Sequence, residues 1–134
     1  MSAQAITYAL LSSDAGVTAI VPTARIYASM LDEGVAMPAV VIQLVSTVDQ
    51  STVDAASPYQ LRRSRVQVNA LSQDYVQVQS LARAINTAMA FRRGTIANVT
   101  VTSVVRDWTH ADDFDTALHA HVVAADYMIV WHET

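Results

Sequence analysis

Between residues 61 and 93 the spacing of apolar residues changes from a period of two, up to residue 71, to a period near 3.6. Across residues 61–71, Val66, Val68 and Ala70 point one way, while Arg63, Arg65, Gln67 and Asn69 point the other. That split predicts a strand with one buried face. From 73 to 93, Val78, Leu81, Ala82, Ile85, Ala88 and Met89 form a single apolar stripe, which predicts the one long helix. Ser72 is its expected N-cap, and Asp74 places negative charge where the helix dipole favours it. Arg92 and Arg93 lie at the opposite end, with Gly94 free to take the left-handed conformation that closes a helix.

The flanks are read the same way. Residues 3–11 form a helix with Ala3, Ile6 and Leu10 on one face, and Ser12, Ser13 and Asp14 break it. Ser13 or Asp14 caps a second short helix through Val17, Ile20 and Val21, which Pro22 closes. Arg25, Ile26 and Tyr27 make a very short strand, and residues 30–37 a loop. Pro38 opens a strand over 39–48 that is apolar on both faces, the expectation for a central or doubly covered strand. Residues 49–59 are polar and aperiodic, a long loop that suggests function or disorder.

Residues 96–108 alternate Val99, Val101 and Val105 against Thr100, Thr102, Val104 and Arg106. Residues 110–116 read as an acidic turn-like loop, and 117–131 as the last strand, carrying His119 and His121 on one face. The expected fold is α+β, in a single domain over 1–134. It is a mainly antiparallel four-stranded sheet with the long helix and the N-terminal helix on one face, in the order α-(α)-β-β-β-α-β-β.

Composition narrows the function. The chain is 52% hydrophobic and 15% charged, low enough in charge to suggest that other subunits cover part of its surface. Its net charge of −4 argues against duplex binding, which needs cations to displace phosphate counterions. The absence of cysteine excludes disulfides and thiolate chemistry. No apolar run approaches the length of a membrane span, and the start lacks the pattern of a signal peptide, so a cytoplasmic setting and no membrane partner are expected.

Candidate chemistry is sparse. His119 and His121, with Asp112 or Asp113 as a third ligand, could hold zinc; the plainer reading is two half-exposed histidines on a sheet. Neither the carboxylates, the three scattered glycines nor the serines form a known catalytic pattern, so no catalytic residue, metal or cofactor is expected. Arg62, Arg63 and Arg65 are the densest cationic patch, which Arg106 can join from another strand. They are candidates for an interface with the acidic Asp112, Asp113 and Asp115 of a neighbouring copy. A solvated hairpin edge is the alternative.

Three segments resemble the tail completion, or tail terminator, proteins of long-tailed bacteriophages. ITYALLSSDAGVTAIVPTARIYAS (6–29) is similar to that family's opening, MPAVVIQLVS (37–46) to its proline-entered strand, and RVQVNALSQDYVQVQSLARAINTAM (65–89) to its strand running into the long helix. The resemblance implies a ring, typically six-fold, at the head-proximal end of the tail tube. There it would end tube polymerisation and provide the head-joining surface. Implied partners are further copies of the chain, the tail tube protein and a head–tail connector or stopper, with genomic DNA passing through without sequence-specific binding. The implied location is the host cytoplasm during assembly, then the virion tail or neck.

The arginine face with the loop residues Asp49, Gln50, Ser51, Thr52, Val53, Asp54, Pro58 and Tyr59 is one expected ring contact, and the acidic loop the other. Competing readings are a connector ring, a dimeric binding module, and a small His/Asp metal-dependent enzyme.

Overall fold

The computed structural model describes residues 3–28, 36–50 and 61–133, apart from the side chains of Gln50 and Glu133. Helices α1 (Ala3–Ser12) and α2 (Ala15–Thr18) lead through a 3-10 turn (Thr23–Arg25) into β1 (Ile26–Tyr27). Then follow β2 (Ala39–Gln50), β3 (Leu61–Ser72), α3 (Tyr75–Met89), β4 (Gly94–Ile96), β5 (Val99–Thr109), β6 (Asp113–Asp115) and β7 (Ala120–Glu133). The expected α+β class and mainly antiparallel pairing hold. The expected four-stranded sheet does not: among the described residues the sheet has seven strands in the order β1-β2-β3-β7-β5-β4, with β6 also on β7. The extra strands β4 and β6 are three residues each, too short to carry a period.

The last strand lies at the centre, antiparallel to both β3 and β5. The connection from β3 through α3 to β5 therefore spans β7 rather than joining neighbours. One sheet face meets α1 and α3, and α2 packs on those two helices. Ile6, Leu11, Val17, Leu81, Ile85 and Met89 pack with Val40, Ile42, Val66, Val68, Val101, Val104, Tyr127, Ile129 and Trp131 in one core. The stripe expected for α3 is buried as expected at Val78, Leu81, Ile85, Ala88 and Met89.

The ends of α3 differ from expectation. Asp74, not Ser72, is the N-cap, its carboxylate accepting from the Val76 N–H at 3.1 Å. The Ser72 hydroxyl instead sets the corner, accepting from the Asp74 N–H and donating to Gln77 Oε1. At the other end Phe91 (φ 62°) takes the left-handed conformation that closes the helix, and its N–H donates to the Val104 carbonyl; Gly94 also has a positive φ (114°), but it opens β4. Arg92 caps the last turn by donating to the Thr87 and Ala88 carbonyls. The sequence signal was real, but the chain turns three residues early to reach β5. Asp14 caps α2 as expected, through the Gly16 and Val17 N–H groups.

Two further expectations fail for local reasons. In β5 the register slips between Val101 and Ser103 and again between Arg106 and Trp108. Each bulge inserts one residue and flips the alternation. Val104 is therefore buried and Val105 exposed, the reverse of the predicted faces. The strand β2 is not central: beyond Val41 its outer side has no strand partner among the described residues.

Tyr127 ties α3 to the sheet, donating from its phenol to Asn86 Oδ1 at 3.2 Å. Burial pushes this phenol up to about 12, opposed by the weaker pull of the Arg106 charge. The fold thus favours the neutral form. The resulting stability is complete below pH 10 and is lost as pH rises from there to about 12. A loss on the order of 2–3 kcal/mol is expected over that window in urea titrations. Tyr127→Phe should flatten that part of the profile; an unchanged slope would contradict the assignment.

Candidate assembly surface

The sheet face away from the helices carries Arg63 and Arg65 together with Asp107, His110 and Asp126. Cross-strand register sets it out in rows: Val48–Arg63–Val130–Ser103, then Ser46–Arg65–Met128–Val105, then Gln43–Gln67–Asp126–Trp108. Arg63, Ser103, Val105, Asp107, Met128 and Val130 line a shallow cleft of about 280 Å³ there.

Arg65 is the hub of this face. Its guanidinium donates to Asp126 Oδ2 at 3.2 Å and also pairs with Asp107. The hydrogen bond to Asp107 does most to raise the Arg65 pKa above its ordinary value; burial opposes it, and Asp126 adds to it. His110 Nε2 lies 2.9 Å from Asp126 Oδ1. Asp126 is only 8% exposed, so these partners are what make a carboxylate tolerable there. Asp107 and Asp126 were missed from the sequence. The available signal was an aspartate inside the apolar run of β7, a residue type seldom buried without a partner.

The predicted arginine patch divides between the two faces. Arg63 and Arg65 stand on the open face. Arg62 lies on the helix side, 3.3 Å from Asp49 and with its guanidinium 5.3 Å from the Trp131 ring centroid. Arg106 is also on the helix side, since the first bulge of β5 turns it towards Gln79, Asn86 and Tyr127. Among the described residues Arg63 has no ion-pair partner.

The acidic stretch is ordered by local bonds. Asp112 accepts from Tyr75 Oη (3.2 Å) and Gln79 Nε2 (3.0 Å) at the start of α3. Asp113 and Asp115 belong to β6, and Asp115 accepts from the Ala117 and Leu118 N–H groups in the following turn. Of the predicted assembly loop, Asp49 and Gln50 prolong β2 instead. Ser51, Thr52, Val53, Asp54, Pro58 and Tyr59 lie outside the described residues.

The histidine pair does not form. The last strand starts at Ala120, leaving His119 in the turn at φ 51°. His121 packs edge-on against the rings of Tyr75 and Phe114. Among the described residues no group of three or more His, Asp or Glu side chains is placed to hold a metal ion. No described helix is long and apolar enough to cross a membrane.

Fold and surface together define an α+β subunit with one sheet face bare and its charged groups largely paired with one another. Residues 4–130 match the sequence model of the family "Tail completion protein gp17", and the chain belongs to that family. It is a structural component of a virion tail. Among solved structures, a chain from "Virion of native gene transfer agent (GTA) particle" is similar, with a TM-score of 0.78 and 14% sequence identity. The alignment covers 98% of this chain and 95% of that one, and at such identity the likeness speaks for the fold. Among curated proteins none matches the sequence.

Proposed function

We propose that the chain assembles as a ring, six-fold as the family resemblance implies, on the head-proximal end of the tail tube. There it ends tube polymerisation and offers the surface to which the filled head is joined. The observation that carries this reading is family membership over nearly the whole chain. The bare, partly apolar sheet surface supports it by supplying area for neighbouring copies.

On this reading the tail tube protein meets one side of the ring and a connector or stopper the other. The net charge of −4 suits a passage that DNA crosses without sticking. Assembly takes place in the host cytoplasm, and the role is geometric rather than enzymatic. The two ring contacts fall on the β2–β3 side, with Arg62, Arg63 and Arg65, and on the β5–β6 side, with Arg106, Asp112, Asp113 and Asp115.

Purified chain added to tail tubes and viewed by electron microscopy tests the reading. A ring capping one end is expected, and binding along the whole tube would contradict it. Arg63→Glu should leave stability within about 0.5 kcal/mol and lower the fraction of capped tubes. Arg65→Glu is no equivalent probe. It sets a third carboxylate against Asp107 and Asp126 and should lower the melting midpoint well below that of Arg63→Glu. Equal midpoints would show that the cluster does not hold the face together.

A further inference from the structure

Two stretches at opposite edges of the sheet break the rule that a strand hides one face. Every residue from Gln43 to Asp49 in β2 is exposed, and so is every residue from Val105 to Thr109 in β5. Successive strand side chains point to opposite faces, so neither face of these runs is fully covered. Nor are their outer edges paired among the described residues. β1 covers β2 only at Val40 and Val41, while β4 covers β5 only as far as Val101, with Phe91 reaching Val104. Open edges are normally blunted with charge or covered. Here both carry exposed apolar side chains: Val45 and Val48 (59%) on β2, Val105 and Trp108 (61%) on β5.

We propose that these edges pair between copies, the β2 edge of one chain adding to the β5 edge of the next, so that the ring is joined by a shared sheet. This rests on the ring reading above and specifies the strands that make the joint.

Direction favours a second copy. From β2 through β3 and β7 to β5 each strand is antiparallel to the one before, so β2 and β5 run oppositely. A copy rotated about an axis along the strands keeps its direction. The new pair is then antiparallel, like its neighbours. Height agrees as well. Register leads from Ser46 through Arg65 and Met128 to Val105, and from Gln43 through Gln67 and Asp126 to Trp108. The free stretches therefore stand at one level, and a neighbour needs rotation with little rise, the condition for a closed ring rather than a filament. Because the two edges differ, each copy satisfies both, and no template is left for uncontrolled pairing.

The chain has no cysteine, which makes the test clean. Within one chain Ser46 and Val105 are separated by two strands, roughly 14 Å from three inter-strand spacings, so they cannot form a disulfide with each other. Tails assembled with the Ser46→Cys/Val105→Cys chain are oxidised and run on non-reducing gels, with the purified full chain alongside. A ladder of linked oligomers ending at the ring size is expected from the double variant and none from either single one. Gln43→Cys/Trp108→Cys probes the other level. Rings seen at tail ends with neither pair linking would overturn the shared sheet and leave the ring reading standing. Dimers linked by Ser46→Cys alone would overturn it in favour of a two-fold β2–β2 contact. Tails with no ring at all would overturn both.

Discussion

Replacing Ile85 with aspartate is expected to leave no folded protein at room temperature. Ile85 sits midway along the buried stripe of α3, 3% exposed, in the core it shares with Val68, Tyr127 and Trp131. A carboxylate there would have neither water nor a cation beside it. It would either ionise at a large desolvation cost or take up a proton and still leave polar atoms unpaired. Such substitutions cost more than about 4 kcal/mol, against a total stability on the order of 5–15 kcal/mol. Circular dichroism and a melt read the outcome directly. Ile85→Val serves as the control, with a cost of about 1 kcal/mol. A cooperative melt of Ile85→Asp within a few degrees of the parent would show that α3 does not seal the sheet.

Trp131→Ala should be nearly as damaging. Trp131 is among the largest fully buried side chains, and its indole N–H donates to Ser64 Oγ at 3.0 Å. Truncation removes the ring and leaves a cavity, which for tryptophan costs about 3–5 kcal/mol. It also takes the donor from a buried serine and the aromatic face from Arg62. Trp131→Phe keeps much of the volume and loses the donor, so an intermediate loss of about 1–3 kcal/mol is expected. Urea midpoints should fall in the order parent, Phe, Ala. A phenylalanine variant as stable as the parent would mean the bond to Ser64 contributes nothing net; Ser64 Oγ also lies 3.0 Å from Thr47 Oγ1, which could then satisfy it.

What could be read from the sequence follows from where its periods are unbroken. The faces of β3 and the stripe of α3 were legible because nothing interrupts their alternation. The faces of β5 were not, since a bulge adds one residue without any compositional mark. The strand β2 teaches a finer lesson. It is apolar on two faces, which reads as a covered central strand. That reading fails, since the far half of β2 is exposed and only β1, at Val40 and Val41, lies on its outer side among the described residues. Apolar pattern reports residue type along a strand, not where in the sheet the strand will stand.

The candidate site was legible only in part for a related reason. Arg63 and Arg65 were found on one strand face, but the acids that hold Arg65 come from positions 107 and 126, far along the chain. Asp112 and Asp115, chosen for their density, are engaged by bonds inside their own subunit. Charge clusters in sequence mark loops readily, whereas ion pairs across a sheet depend on a register that the sequence does not display.

The role at the tail end is tested most directly by withholding the chain during assembly and measuring tail lengths by electron microscopy. A subunit that caps the tube predicts long, uneven tubes without heads, with uniform headed tails restored when the intact chain is supplied. Tails of normal, uniform length in its absence would contradict that role.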